Sequence, residues 1–164
     1  IVLGARKMLF LGWCGSIQKD LRLGNLLVPD SAISEEGTSA HYPLSTSPRP
    51  SGLVFKAIEE NLVASSLPFR RGAVWSTDAP YRETREKVIS YQKQGVLGVE
   101  MELSALFTAA SFRKIHMGAL LVVSDELGSL RWKPGFSNPK FNRSRKFAAE
   151  IVCAACHRLS TQHP

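Results

Sequence analysis

The chain has 164 residues, of which 44% are hydrophobic and 21% are charged, and its formal net charge is +7. These values are ordinary for one soluble globular domain with a sizeable core, and the absence of a long apolar run argues against a membrane protein. The three cysteines do not form a disulfide framework, so we expect a reducing, cytoplasmic location.

The first half of the chain alternates short apolar segments with turns. In chain order it predicts a strand over residues 7–11, a glycine-containing turn over 12–16, a turn and strand over 21–29, a loop over 43–50 and a helix from Ser51 or Gly52 to Ser65. In that helix Leu53, Ile58 and Leu62 recur at helical spacing, so we expect them to face the core.

The second half continues this alternation. It predicts a strand over residues 69–77, a loop over 77–84, a helix over 83–94, a strand over 96–99, a helix over 101–112 and a strand over 118–124. The last of these strands is an unbroken apolar run, which is typical of a strand buried on both faces. We therefore predict an α/β fold in which residues 1–164 form a single domain. Its mixed β-sheet is central and is flanked by helices.

At the ends of three of these predicted strands lie residues whose chemistry suits a ligand site. These residues are Gly12, Trp13, Glu100, Met101, Glu102, Ser124 and Asp125. Ligand sites in α/β proteins lie beyond the carboxyl ends of the strands, so we expect these residues to meet. A carboxylate such as Glu102 can accept hydrogen bonds from two vicinal hydroxyls, and an acid such as Asp125 can protonate a leaving group. The alternative is that Glu100 and Glu102 are helix N-terminal acids that complement the macrodipole.

Four segments carry a family resemblance. Residues 98–106 and 120–125 resemble the V-E-M-E-x-x-A and S-D motifs of the nucleoside phosphorylase family, which includes purine nucleoside phosphorylase, uridine phosphorylase and methylthioadenosine nucleosidase. Residues 21–29 resemble its L-x-x-G-D-I-V-I-P segment, and residues 34–42 its E-E-G-T-S-x-H-Y loop. The resemblance runs from about residue 3 to residue 159 and implies that the chain corresponds to the C-terminal two-thirds of the family domain.

The resemblance implies a phosphorylase/hydrolase-like fold and cleavage of the N-glycosidic bond of nucleosides, with phosphate as co-substrate and no cofactor or metal. It implies that Glu102 grips the ribose hydroxyls, that Met101 packs against the sugar and that Tyr81 stacks on the base. The implied substrate-binding set is Gly12, Trp13, Tyr81, Glu100, Met101, Glu102 and Ser124, with Asp125 as the catalytic acid. It also implies a homo-oligomer, either a dimer or a hexamer, with the loop around His41 at its border.

The sequence departs from the family at the phosphate-binding turn. Phosphorylases of this family carry an arginine and a hydroxyl residue where this chain has Phe10 and Trp13, and neither replacement can make charge-assisted bonds to phosphate. Hydrolysis by water, or non-catalytic nucleoside binding, therefore remains an alternative to phosphorolysis. Ser124-Asp125 favours purine nucleosides, whereas the loop over residues 36–42 favours uridine-specific members.

Two further patterns suggest other functions. Residues 131–146 mix basic and aromatic side chains, as some single-strand-binding proteins do. We interpret them instead as a loop over the site followed by a helix start, with no nucleic-acid partner. Cys153, Cys156 and His157 match the C-x-x-C-H pattern of haem attachment. Phe147, Ile151 and Leu159 recur at helical spacing around them, so we predict an amphipathic helix that binds neither haem nor zinc.

Overall fold

A six-stranded mixed sheet with four α-helices is described by the computed structural model, which covers residues 1–43 and 47–161. The elements are β1 (Lys7–Ser16), β2 (Leu26–Glu35), α1 (Gly52–Ala64), β3 (Phe69–Thr77), α2 (Arg85–Lys93), β4 (Gly98–Glu100), α3 (Leu103–Phe112), β5 (His116–Glu126), β6 (Lys133–Pro134) and α4 (Pro139–Thr161). Short 3₁₀ helices lie at Ser39–His41 and Pro80–Arg82. The predicted α/β fold with a mixed sheet is confirmed, and the middle of the predicted 43–50 loop lies outside the described residues.

Five of the strands close into a ring. β1 pairs in parallel with β5, β5 pairs antiparallel with β2, β2 and β3 run parallel, β3 and β4 run parallel, and β4 returns antiparallel to β1. The β1–β4 contact is short, since only Gly15 with Val99 and Ser16 with Gly98 are paired. The two strands therefore diverge on the N-terminal side of Gly15, and this gap positions the site described below.

β5 is the central strand, as its apolar run predicts. Residues 117–125 are all buried, and their alternation sends side chains to two different cores. Leu121 and Val123 join α3 residues such as Phe107, whereas Leu120 and Val122 pack with residues of α1 and α4. Residues on both faces of β5 are therefore covered, which explains the lack of polar residues in its middle.

Two predictions about the start of the chain and about α1 are wrong in detail. Residues 12 and 13 were predicted to form a turn, but β1 continues through them, because Gly12 pairs with Leu121 and Trp13 with Val122 of β5. In α1 the buried stripe is Val54, Ala57, Ile58 and Leu62, so the predictions for Ile58 and Leu62 are confirmed. Leu53 is 38% exposed, because it lies beside this stripe, one position before Val54.

The predicted C-terminal helix is confirmed, and it spans Pro139–Thr161. Ile151, Ala155 and Leu159 are buried along it, whereas Phe147 is 40% exposed. The thiols of Cys153 and Cys156 are free and exposed on the same helix. In the part of the chain that the structure describes, no helix combines the length and the apolar character needed to cross a membrane.

Shortening one buried side chain of β5 tests the central position of this strand. We expect Leu121→Ala to lower the free energy of unfolding by about 2–5 kcal/mol, because it leaves a cavity at a fully buried position. The same truncation at the part-exposed Leu53 should cost about 1 kcal/mol or less. Urea unfolding of both variants measures the difference, and equal losses would contradict a central β5.

Candidate active site

A cleft of about 820 Å³ opens where β1 and β4 diverge. Because β4 runs antiparallel to the end of β1, the chain that follows Val99 turns back along β1 towards Trp13. The end of β5 lies on the other side of β1, where Gly15 pairs with Asp125. The cleft is lined by all eight residues predicted to form the site, which are Gly12, Trp13, Tyr81, Glu100, Met101, Glu102, Ser124 and Asp125.

Glu100 ends β4 and is almost completely buried. One of its carboxylate oxygens accepts a hydrogen bond from the Ser76 hydroxyl of β3. The other accepts from the backbone N–H of Glu102 at 2.8 Å and of Leu103 at 2.7 Å, at the start of α3. Burial raises the pKa of Glu100, although these hydrogen bonds oppose the effect. Since protein donors occupy both oxygens, this geometry favours the structural alternative, in which Glu100 caps α3 and does not bind a ligand directly.

Glu102 differs from Glu100 in its hydrogen bonds. It occupies the N-cap position of α3, but its side chain accepts no hydrogen bond from the helix. Within the described residues its carboxylate has no hydrogen-bond or ion-pair partner, and the side chain is exposed to the cleft. Met101, beside it, is 45% exposed, which is high for a long apolar side chain. Both side chains are therefore available to a ligand.

Asp125 is held in place at the end of β5. One carboxylate oxygen accepts a hydrogen bond from the Ser124 hydroxyl at 2.7 Å, and the other accepts from the indole N–H of Trp132 at 2.9 Å. A Cβ on Gly15 would lie 2.8 Å from the second oxygen, so glycine at this position lets the carboxylate approach β1. The Ser124 hydroxyl also lies 3.3 Å from the backbone oxygen of Cys14. Its single proton is therefore shared between this oxygen and the Asp125 carboxylate.

Glu83 also lines the cleft, and the sequence analysis did not select it. It is half-buried just after the 3₁₀ helix Pro80–Arg82. Burial and, to a smaller extent, the charge of Asp125 raise the pKa of Glu83 to about 7. In sequence the residue looks like one of several acids near a helix start, and only the folded structure places it on the same cleft as Asp125.

Aromatic side chains form much of the remaining wall. Trp13 packs edge-on against Phe141 of α4, with ring centroids 5.3 Å apart. Phe136 makes a similar contact with Phe141 at 6.5 Å, and Trp132 reaches Asp125 as described. From the segment over residues 131–146, Trp132 and Phe136 line the cleft, which agrees with the predicted loop over the site. Tyr81 lies on the rim and is fully exposed, so no protein neighbour fixes its ring.

The cleft is acidic despite the positive net charge of the chain. Glu83, Glu100, Glu102 and Asp125 line it, and among the described lining residues there is no lysine, arginine or histidine. The buried thiol of Cys14 reflects this environment, because burial and then the charges of Asp125 and Glu100 raise its pKa. Outside the cleft as well, no group of three His, Cys, Asp or Glu side chains in the described part of the chain could hold a metal ion.

The loop over residues 34–42 is tied to α3 through Glu36. Its carboxylate accepts hydrogen bonds from the hydroxyls of Ser34 and Ser104 and from the backbone N–H groups of Thr38 and Ser39. Burial alone would raise the pKa of Glu36, but these hydrogen bonds outweigh it and lower the pKa to about 2. The loop is therefore held against the first turn of α3 through the bond between Glu36 and Ser104. His41 in the same loop is exposed.

The different roles of Glu100 and Glu102 predict different effects of their substitution on stability. In Glu100→Gln the amide nitrogen cannot accept the Ser76 hydroxyl proton, and Ser76 already accepts from the Ser104 N–H. We expect a buried donor to lose its partner and the free energy of unfolding to fall by about 1–3 kcal/mol. Glu102→Gln should change it by about 0.5 kcal/mol or less. Urea unfolding measures both variants, and a similar loss in each would contradict the assigned difference.

Comparisons with known proteins identify relatives of this chain. A purine nucleoside phosphorylase of the DeoD type from Brevibacillus brevis is 30% identical over 129 residues, which are 76% of this chain and 54% of that protein. A guanosine phosphorylase from Halorubrum lacusprofundi is 30% identical over 127 residues, covering 76% of this chain and 52% of that protein. The chain thus spans about half the length of the curated relatives it matches.

Solved structures give the same fold. Purine nucleoside phosphorylase from Toxoplasma gondii, crystallised with immucillin-H, superimposes with a TM-score of 0.88 at 21% identity, covering 99% of this chain and 67% of that chain. A Plasmodium knowlesi homologue of P. falciparum PNP gives a TM-score of 0.81 at 23% identity, covering 98% of this chain and 64% of that chain. The sequence model of the phosphorylase superfamily matches residues 1–157, and the chain therefore belongs to the phosphorylase superfamily.

Proposed function

We propose that this protein is a nucleoside phosphorylase, a pentosyltransferase that cleaves the N-glycosidic bond of purine nucleosides with phosphate. The products are the free base and ribose 1-phosphate. The observation that carries the proposal is the placement of an unpartnered carboxylate, Glu102, and a buried, oriented carboxylate, Asp125, on one cleft. The names of the relatives support the reaction class, and the superfamily match supports its transfer to this chain.

Each residue has a role that follows from its surroundings. Cleavage builds positive charge on the sugar and negative charge on the departing base. Glu102 accepts hydrogen bonds from the two ribose hydroxyls, because its oxygens are free and face the cleft. The exposed side chain of Met101 packs against the sugar, and Tyr81 at the rim stacks on the base. Asp125 acts at the base, where an acid group can protonate the leaving nitrogen.

Purine nucleosides fit this arrangement better than pyrimidine nucleosides. Ser124 and Trp132 hold Asp125 in a fixed orientation, which suits a group that must meet one nitrogen of a base. The curated relatives are named for purine nucleosides or guanosine, and the Toxoplasma gondii enzyme was crystallised with immucillin-H. We propose that the protein works without a metal or organic cofactor, in the cytoplasm, as a homo-oligomeric dimer or hexamer.

Hydrolysis is the second candidate, and one observation favours it. Phosphate is an anion, and anion sites use cationic or N–H donors. The described lining of the cleft contains four carboxyl groups and no basic side chain, and Phe10 and Trp13 occupy the family's phosphate-binding positions. A basic residue from another part of the protein or from a second copy would have to complete a phosphate site. Water requires no such residue.

Product analysis distinguishes the two reactions. We expect the purified protein to release base from inosine or adenosine faster than from uridine, and to form ribose 1-phosphate only when phosphate is present. Separation of bases and sugars by chromatography measures both products. Free ribose formed at the same rate with and without phosphate would establish hydrolysis instead, and no release from any nucleoside would contradict an enzymatic function.

The role of Glu102 is tested with a change that keeps its shape. Glu102→Gln removes the negative charge that stabilises the ribose hydroxyls in the transition state, so we expect kcat/KM to fall by about 10²-fold or more. Glu86→Gln is the matched control, because Glu86 is an exposed acid on α2 that does not line the cleft. Steady-state kinetics on inosine measure both variants, and unchanged turnover in a folded Glu102→Gln protein would contradict the assignment.

A further inference from the structure

Ser124 lies at an irregularity in the pairing of β1 with β5. Cys14 of β1 pairs with Val123 of β5, but the next pair is Gly15 with Asp125, so Ser124 has no partner on β1. In a regular strand, consecutive side chains point to opposite faces, and a bulge changes this alternation. Ser124 and Asp125 accordingly line the same cleft, and their side-chain oxygens lie 2.7 Å apart.

The Ser124 hydroxyl has two acceptors within reach. Its oxygen lies 2.7 Å from one carboxylate oxygen of Asp125 and 3.3 Å from the backbone oxygen of Cys14. A hydroxyl group carries one proton, which rotates about the bond to carbon. Ser124 is 3% exposed and Cys14 is 2% exposed, so both groups are shielded from solvent. The hydroxyl proton therefore keeps a protein acceptor in either orientation.

Trp132, the second donor to Asp125, lacks this freedom. Its indole N–H donates to the other carboxylate oxygen at 2.9 Å. An indole nitrogen only donates, whereas a hydroxyl oxygen both donates and accepts. Of the two donors that the described structure gives Asp125, Ser124 is thus the one that can change its acceptor without any movement of heavier atoms.

The proposed role of Asp125 requires such a change. An acid that protonates the base is neutral before the glycosidic bond breaks and is a carboxylate afterwards. A carboxylate oxygen is a stronger acceptor than an oxygen of a neutral carboxyl group. The Ser124 proton is therefore best placed on the Cys14 oxygen before the transfer and on the Asp125 carboxylate after it.

We propose that Ser124 is a positioning residue that acts through Asp125. Its hydroxyl donates to the backbone oxygen of Cys14 while Asp125 is neutral, and turns to the Asp125 carboxylate as the proton passes to the base. This inference deepens the proposed function and rests on it, and it gives Ser124 a role other than direct contact with the substrate. The donor is already in place where negative charge develops, which is the arrangement that lowers a reaction barrier.

The proposed step is balanced in protons and electrons. The bond between the sugar C1′ and the base nitrogen breaks, and its electron pair goes to the base. The Asp125 proton passes to a nitrogen of that base and leaves a carboxylate, while the Ser124 proton stays on its own oxygen. The nucleophile, phosphate or water, forms the new bond to C1′. Release of the base and uptake of a proton from solvent restore Asp125.

Two substrates test this role. Inosine needs its base protonated, whereas the base of 7-methylinosine already carries a positive charge and departs without protonation. We expect Ser124→Ala to lower kcat on inosine by about 10-fold or more, because a hydrogen bond to a developing charge is lost, and to lower kcat on 7-methylinosine much less. The KM for inosine should stay within about twofold of wild type, because the hydroxyl does not bind the substrate.

Ser16→Ala is the matched control. Ser16 is a fully buried serine of β1 that is not among the lining residues, and its hydroxyl has no hydrogen-bond partner in the described part of the chain. We expect this variant to keep the wild-type kcat on both substrates. Circular dichroism and urea unfolding establish that each variant is folded before its kinetics are compared.

Two further variants separate the hydroxyl from the size of the side chain. Ser124→Thr keeps a hydroxyl and should restore most of the activity on inosine. Ser124→Cys is close to serine in size but is only a weak donor, so it should retain most of the loss. In a double-mutant cycle, Ser124→Ala should lower the inosine activity of Asp125→Asn by less than about twofold, because the two residues act as one unit.

The outcomes distinguish this inference from the proposed function. Equal losses on the two substrates, a raised KM with unchanged kcat, or full inosine activity in Ser124→Ala would overturn the positioning role and leave the nucleoside phosphorylase proposal intact. Full activity in Ser124→Cys, or additive losses in the double-mutant cycle, would overturn it as well. A wild-type protein that cleaves no nucleoside would overturn the proposed function and this inference together.

Discussion

The buried carboxylate of Glu100 is the contact on which the geometry of the cleft depends. It joins three elements, because it accepts hydrogen bonds from Ser76 of β3 and from the two backbone N–H groups that start α3. Its own strand, β4, has only three residues, and at Glu100 it pairs with Ser76 of β3 but not with β1. The carboxylate supplies further hydrogen bonds at this strand end, and it fixes the turn from which Met101 and Glu102 enter the cleft. Burial of this carboxyl group is tolerated because both of its oxygens accept hydrogen bonds from protein donors.

Charge is distributed unevenly in this protein. The chain carries 21 basic and 14 acidic residues, yet four acids and no basic residue line the described cleft. Many basic side chains are instead engaged elsewhere, as in the pairs of Arg70 with Asp20 and Lys87 with Glu35. An acidic cleft suits a sugar that becomes positive during bond cleavage and disfavours an anionic nucleophile. The charge of the cleft therefore fits the proposed nucleoside cleavage, whereas the described lining supplies no basic side chain for phosphate.

Two contacts show what the segment between β5 and α4 does in the structure. Its basic and aromatic composition resembles that of a nucleic-acid-binding strip, but the Trp132 indole donates to Asp125 and Phe136 packs near Phe141. These aromatic side chains therefore form a wall of the cleft and orient an acid. This arrangement also distinguishes Asp125, whose oxygens are both engaged, from Glu83, whose carboxyl group has no partner in the described part of the chain. Two acids with similar intrinsic chemistry thus have different surroundings in the same cleft.

The sequence by itself determined the α/β class, the buried central strand and the eight residues that line one cleft, because each depends on local order. An unbroken apolar run such as residues 118–124 is stable mainly as a buried element. Motif residues next to strand ends meet at one edge of the sheet. It did not determine the course of β1 through Gly12 and Trp13, since strand pairing with β5 overrides the local turn tendency of glycine. Nor did it distinguish Glu100 from Glu102, or select Glu83. Those differences come from which donors, charges and buried surfaces surround each carboxyl group, and only the tertiary structure brings such distant residues together.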